Sequence, residues 1–364
     1  MKFSYNEQAL KNLKIDDPSI LDPLVDAASA REAHLKKDHA RRDKRMSLKE
    51  AVGEFVKDGD ILSDTGFSYV RTPEQAFFEI VRQGKKDLQI IGSPNSNQTY
   101  FIAKGVCRYS HCSYAGVEMR GTDRALSRFV KEGRTRILSE WSHGSMALGF
   151  KAAQLGVAGL FSRSLLGSDI VTHNPFVKVM QNPIAGDGQP VVFVPALYPD
   201  VAIVHVHAAD KYGNGRFFGP AVNDIAIAAA ARKLIVTAEE IVPEADMRYN
   251  NKGVAVPFIY ADAVVELPYG GVPGSMPGCY YWSRQWWEKL CRDAMMSEEK
   301  IQEFIDYWII TSKDQYEFLD KLGGVKWMIE ARRQTKCEEY DNEDDGFDYS
   351  YHEWTKANPS DTYY

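Results

Sequence analysis

The sequence predicts an α/β protein with a largely parallel sheet, for three reasons. Short β-branched-rich runs (ILS, DLQIIG, VVFVPA, VAIVHVHA, KLIVTAEE, ADAVVELP) recur along the chain. They are apolar throughout rather than alternating, as strands covered on both faces are. Helical segments with clear start and stop signals lie between several of them, the rhythm of an α/β fold.

Residues 1–46 read as a helical appendage. Pro18 and Pro23 break its first stretch, and LVDAASAREAHLKKDHARRDKR gives a charged helix with few apolar positions. Its basic end reads as a solvated helix face rather than a nucleic-acid or membrane contact. At Ser47 the pattern changes. Ser47 with Glu50 three residues later is a capping-box sequence, and Asp58-Gly59 ends the helix that follows. ILS is the first strand and Asp64-Thr65-Gly66 a turn. Thr72-Pro73-Glu74 starts a helix with proline at its first position, and Gly84 closes it before the strand DLQIIG.

The rhythm continues with a strand near Val106–Tyr109, a helix over Thr122–Lys131 and a strand over Arg136–Ser139. A helix over Gly144–Leu155, closed by Gly156, leads into a strand over Ala158–Phe161. DIAIAAAAR is a helix between two later strands. Residues 282–332 are helical, rich in Trp and Tyr, and suited to packing on the outside of the sheet. The expected division is an appendage (1–46), one α/β domain (47–332) and an acidic tail (333–364).

The 364 residues suit one large domain or two ordinary ones. The net charge of −6 conceals an asymmetry: residues 337–364 hold nine acids against Lys356, a net −8, so the rest of the chain carries +2. A near-neutral body with an acidic tail does not look like a nucleic-acid binder. The tail is expected to be solvated or to dock on a partner. No apolar run approaches the ~20 residues that span a bilayer, and no secretory h-region opens the chain. Five cysteines without a CxxC argue for a reduced, cytoplasmic protein.

Several chemistries lack their motifs. There is no GxGxxG after a strand, no GxxxxGK[ST], no HExxH and no GxSxG. Gly213-Asn-Gly215-Arg-Phe-Phe-Gly219 has the wrong spacing for a dinucleotide fingerprint and reads as a turn. His205 and His207 share one face of a strand but have no carboxylate or Cys in register, so they read as buried or edge histidines. Of Glu239 and Glu240, at most one can point at a site.

Ligands of parallel α/β proteins bind where strands end and helices begin. Three such junctions stand out. Asp64-Thr65-Gly66-Phe67-Ser68 has a glycine that lets backbone approach a ligand. Gly92-Ser93-Pro94-Asn95-Ser96-Asn97 is rich in small polar donors. In Ser139-Glu140-Trp141-Ser142-His143-Gly144-Ser145, Ser142 can cap a helix whose first N–H groups would meet an anion. Turn and cap chemistry alone would account for any one of these; three on one sheet edge make a candidate site. Phe67, Tyr69, Tyr100, Tyr114 and Trp141 could wall an acyl pocket or could equally pack in the core.

Asp58-Gly59-Asp60-Ile-Leu-Ser-Asp-Thr-Gly66-Phe67-(x)5-Pro73 resembles the α-subunit signature of the family I CoA-transferases of the glutaconate type, with Thr65 standing where the first of two glycines recurs. Further segments resemble the same family in order and spacing: Phe77–Gly84 with Asp87-Leu88, Val201–His205 with Ala209-Asp210-(x)2-Gly213-Asn214-Gly215, Ala228–Ile241, Asp262–Val265 with Pro268–Gly271, and Leu319-(x)2-Leu322-Gly323. The resemblance covers roughly residues 47–330.

It implies an α-subunit-type α/β fold with a helical C-terminal region and a homologous β-subunit partner in a heterotetramer or larger assembly. It implies CoA transfer from an acyl-CoA to a free carboxylic acid through a glutamyl-CoA thioester whose Glu belongs to the β subunit. The coenzyme A thioester is then a substrate; no tightly bound cofactor, metal, nucleic acid or membrane is called for. No catalytic nucleophile falls on this chain. Its expected substrate-binding residues are Gly66, Phe67, Ser93, Asn95, Ser142 and His143. An imidazole at a helix start can donate a hydrogen bond to an oxyanion. Two alternatives stay open: a CoA-ester hydrolase or ring-opening C–C-cleaving enzyme, needing an acid such as Glu118 or Glu140, and a non-catalytic acyl-CoA-binding subunit.

Overall fold

The computed structural model describes residues 3–92, 98–117, 121–183, 188–249 and 253–339. Its strands are β1 (Ile61–Ser63), β2 (Leu88–Gly92), β3 (Cys107–Cys112), β4 (Gly116–Val117), β5 (Gly121–Thr122), β6 (Arg136–Glu140), β7 (Gly159–Ser162), β8 (Lys178–Gln181), β9 (Pro190–Pro195), β10 (Val201–Ala209), β11 (Gly215–Arg216), β12 (Lys233–Ile241), β13 (Val254–Val256) and β14 (Ala263–Glu266).

Seven of these form a parallel sheet in the order β14-β12-β10-β1-β2-β3-β6, with β11 added antiparallel to β10 and β13 antiparallel to β11. The chain starts in the middle with β1, winds outward through β2, β3 and β6, then returns to the other side of β1 with β10, β12 and β14. Strand order therefore reverses between β1 and β10, the switch point at whose carboxyl edge α/β proteins bind ligands.

Alternating side chains supply two cores. Leu62, Ile90, Ile203 and Ile235 face one; Ile61, Ile91, Val204 and Val236 face the other. The helices Leu48–Phe55 and Glu74–Arg82 and the C-terminal helices cover the first; the helices His143–Leu155 and Asp224–Ala230 cover the second. The capping box at Ser47 forms as the sequence predicts: Glu50 N donates to Ser47 Oγ (3.2 Å) and Ser47 N to Glu50 Oε2 (2.9 Å). Pro73 is the cap residue of the helix Glu74–Arg82 rather than its first residue.

The C-terminal helices attach through aromatic rings. Phe78 of the helix Glu74–Arg82 lies 5.3 Å from Phe318 and 6.1 Å from Trp286, ring centre to ring centre. Trp286 stands edge-on to Trp287 at 4.9 Å. Rings of this size bury about 150–250 Å² each, so this cluster is a principal attachment of the layer. The last helix, Gly324–Glu339, crosses the boundary expected at 332.

Two expectations are corrected. The runs at Ala158–Phe161 and VVFVPA do not join the parallel sheet; β7, β9 and β8 form a separate antiparallel sheet. Apolar content marks a strand but not its neighbours. The basic end of the appendage is not a solvated helix face. Its helix stops at Lys36, and Lys37 and Lys44 are buried. Lys37 Nζ donates to Tyr260 O (2.7 Å) and pairs with Asp262 Oδ2 (3.0 Å); Lys44 Nζ donates to Ala261 O (2.7 Å) and Phe258 O (2.9 Å). Burial pushes the pKa of Lys37 down, and Asp262 works against that. Charge pattern could not reveal these acceptors, which lie more than 200 residues away.

Candidate functional site

The carboxyl ends of β2, β3 and β6 lie side by side, and the loops after β3 and β6 converge. Ser142 caps the helix His143–Leu155 reciprocally: Ser145 N donates to Ser142 Oγ (3.1 Å) and Ser142 N to Ser145 Oγ (3.0 Å). His143 is the first helical residue and is exposed. Its Nδ1 lies 3.3 Å from Ser113 Oγ in the loop after β3, and Ser113 Oγ donates to Gly92 O at the end of β2 (3.4 Å). The Tyr114 ring lies 6.4 Å from the imidazole. Residues from three strand ends thus meet at His143. Ser113 was missed from sequence, where nothing distinguishes it from an ordinary loop serine.

A buried network beneath holds this loop. His111 is fully buried, its Nδ1 2.8 Å from Ser139 Oγ and its Nε2 3.1 Å from Gln89 Oε1. Trp141 Nε1 donates to Ser139 Oγ (2.6 Å), and Trp141 N donates to Cys112 O (2.8 Å). Burial pushes the His111 pKa down to about 3, so the ring is neutral.

Gly66 and Phe67 belong to a second group, beside the switch point. Gly66 has φ +82, and a Cβ there would lie 2.5 Å from Val70 O. The glycine is needed because the loop folds back on itself: Phe67 N donates to Val70 O (2.9 Å) and Val70 N to Phe67 O (2.8 Å). The Gly66 N–H is already used, donating to Asp224 Oδ1 (2.9 Å). Asp224 also pairs in bidentate fashion with Arg71, at 3.1 and 3.0 Å, both side chains fully buried. The Arg71 guanidinium covers Phe217 at 4.2 Å. Thr65 replaces the bare backbone of the resembled pattern without conflict: it is buried and donates to Ile203 O (2.8 Å). Ser93, Asn95 and Glu118 lie outside the described residues.

The five aromatics do not form one wall. Tyr100 and Trp141 are buried in cores on opposite faces of the sheet, and Tyr69 stacks on Trp282 at 4.6 Å. Tyr114 stays at the loop cluster beside His143.

His205 does have a carboxylate partner. β10 and β12 pair with His205 opposite Thr237, so Glu239, two residues on, rises on the same face. Thr237 Oγ1 lies 2.9 Å from His205 Nδ1, and Glu239 Oε1 lies 2.7 Å from Nε2. Tyr280 OH (2.5 Å) and Tyr269 N (2.7 Å) also donate to the Glu239 carboxylate. Burial and the Glu239 charge push the Tyr280 pKa well up. His207 stacks on Phe218 at 3.6 Å and has Nε2 2.8 Å from Pro277 O; burial pushes its pKa down to about 4. Among the described residues no group of three or more His, Cys, Asp or Glu could hold a metal ion. Nor is any described helix long and apolar enough to cross a membrane.

Residues 45–267 match the family described as Coenzyme A transferase. An uncharacterized protein of Archaeoglobus fulgidus is 36% identical over 299 residues, which is 82% of this chain but 66% of the relative's length, just under two thirds. A 3-oxoadipate CoA-transferase subunit of Pseudomonas knackmussii is 32% identical over 77% of this chain and 99% of its own. A glutaconate CoA-transferase subunit of Acidaminococcus fermentans is 31% identical over 78% of this chain and 93% of its own. In the crystal structure of glutaconate coenzyme A-transferase from that organism, the matching chain superposes with a TM-score of 0.73 at 28% identity, covering 78% of this chain and 94% of that one.

Proposed function

Since the chain belongs to the coenzyme A transferase family, we propose that it is the α-type subunit of a heteromeric enzyme that moves CoA from an acyl-CoA to a free carboxylic acid. The observation that carries the reading is the match across nearly the whole length of two transferase subunits that carry that activity in their names.

In this reading a glutamate of a β-type partner attacks the thioester carbonyl. The CoA thiolate leaves, and a mixed anhydride forms. The thiolate then attacks the glutamyl carbonyl of the anhydride, which frees the first acid and leaves a glutamyl-CoA thioester. The acceptor acid repeats these steps in reverse. One difficult exchange becomes several easier ones, with ping-pong kinetics. This chain supplies one wall of the cleft. In the substrate complex the Ser113 hydroxyl turns from Gly92 O to donate to His143 Nδ1; Nε2 then carries the proton and donates to the acyl oxygen as negative charge develops there. Ser93 and Asn95 stay candidate donors on the strength of the sequence alone, and Phe67 packs against the acyl group. Gly66 and Ser142 hold their loops in shape.

The test is co-purification of this chain with its partner, followed by CoA exchange measured with and without acceptor acid. Acceptor-dependent exchange, with a hydroxylamine-sensitive glutamyl thioester on the partner, supports the reading. One observation favours a second reading: Glu140 lies opposite Cys112 at the last β3–β6 register position, at the same edge as His143. Product formed without acceptor, and lost in Glu140→Gln, would make the enzyme a CoA-ester hydrolase with its acid on this chain.

A further inference from the structure

On one face of the small antiparallel sheet the rings of Phe161 and Phe193 meet at 5.6 Å. Phe161, Phe193 and Lys178 lie in one cross-strand row, because Phe161 pairs with Phe193 and Lys178 with Phe193. Residues 3–5 and the start of the helix Ala27–Lys36 fold over part of that face and leave a cavity of about 290 Å³. Its walls are mainly apolar, with Tyr5, Val25, Phe176, Phe193 and Pro195 among them.

Ala196 and Tyr198, which line it, lead into the amino end of β10, and its Phe176 stacks on Trp141 at 5.9 Å, two residues before His143. Its cover comes from residues 3–27, which precede the family-matched segment 45–267. The cavity is thus bounded by chain that the family domain does not supply.

Lys178 is the charged residue of the lining. It is exposed, and its Nζ sits 3.0 Å from Ser4 Oγ, which also lines the cavity. Among the described residues no carboxylate pairs with it. The Tyr5 hydroxyl is already committed, donating to Asp22 (2.5 Å), so Tyr5 offers the cavity its ring. An apolar chamber with an ammonium at its rim complements one kind of small molecule: an apolar body ending in a carboxylate.

We propose that this cavity is a second ligand site, which binds a medium-chain or aryl monocarboxylate with its carboxylate on Lys178 and its apolar body between Tyr5 and Phe193. The site would report the level of a free acid through a lining that shares no residue with the cluster at His143. The binding claim stands without the transferase reading; only the sense of reporting a reactant rests on it.

The test is titration of the purified chain with sodium octanoate, followed by calorimetry, with 1-octanol as a neutral probe of similar shape. Octanoate should bind saturably. Lys178→Met should weaken octanoate about tenfold and leave 1-octanol unchanged. Ala27→Phe, which fills the cavity from the first turn of its helix, should abolish both with little change in Tm. A separate CoA-exchange assay of Lys178→Met with the partner keeps the two readings apart, since loss of octanoate binding with intact exchange touches only this site. Absence of saturable octanoate binding would overturn the proposal, as would binding undiminished in both variants. It would also fall if sedimentation showed a dimer that Phe161→Lys dissolves, because the face would then belong to a second copy of the chain.

Discussion

His205 Nε2 and Glu239 Oε1 lie 2.7 Å apart across neighbouring parallel strands, with the histidine fully buried. A carboxylate only accepts, so Nε2 carries a proton and donates to Glu239, while Nδ1 faces Thr237 Oγ1 at 2.9 Å. Glu239 also accepts from Tyr280 and Tyr269, which ties β10, β12 and the segment after β14 together. In Glu239→Gln one accepting oxygen becomes a donor facing donors. The expected loss is about 1–3 kcal/mol, read as a lower urea midpoint, and Tyr280→Phe should lose about 1 kcal/mol. Unchanged midpoints would show that the network contributes nothing.

Glu74 is fully buried at the first position of its helix, with Tyr100 OH donating to Oε2 (2.5 Å) and Oε1 unbonded. Burial pushes its pKa up to about 8, against the smaller opposing pull of the Tyr100 bond. The folded chain therefore keeps a proton that the unfolded chain releases above about pH 4.5. Between those values the native state binds more protons, so stability falls as pH rises, by on the order of 3–5 kcal/mol at most. Glu74→Gln should flatten that slope. Urea unfolding of both proteins at pH 5, 6.5 and 8 checks it, and parallel slopes would refute it.

The Arg71–Asp224 pair is fully buried and also holds the Gly66 N–H. Asp224→Ala would strand a guanidinium and a backbone donor without a carboxylate. Removing one partner of such a pair costs about 3–5 kcal/mol. Gly66→Ala should also destabilise, because its Cβ would meet Val70 O at 2.5 Å. Thermal unfolding measures both.

His143→Ala should leave stability within about 0.5 kcal/mol, since the side chain is exposed. With the partner present it should lower kcat about 100- to 1,000-fold, the scale of a lost oxyanion donor. Ser113→Ala should have a smaller effect in the same direction, because Ser113 only orients the ring. Wild-type kcat in His143→Ala would remove the imidazole from the proposed chemistry.

Much of the fold was legible because its signals are local. The Ser47 capping box, the Ser142 cap and the apolar runs at residues 61–63, 88–92, 201–209 and 233–241 each declare themselves within a few residues. What stayed hidden depends on which strands become neighbours. Glu239 looked unrelated to His205 until β10 and β12 were in register, and β7 looked like one more parallel strand until it paired with β9. Lys37 and Lys44 looked solvated because their carbonyl acceptors lie in a distant loop. The Ser142 cap ahead of His143 follows the same local logic. Gly66 is expected from sequence to let backbone approach a ligand, whereas its N–H serves Asp224, which no spacing rule would show.

β1 is three residues long and is the hinge between two parallel wings. Leu62 and Ser63 meet Val201 and Ala202 on one side, while Ile61, Leu62 and Ser63 meet Gln89, Ile90 and Ile91 on the other. During synthesis the wing of β2, β3 and β6 is complete well before β10 emerges from the ribosome. Through that interval β1 presents a bare rung of amides and carbonyls where β10 will dock, and the apolar side chains beside it lack half their cover. The nascent chain therefore passes through a stage with its central seam open, and helpers that shield strand edges should act on this protein between the emergence of β6 and that of β10.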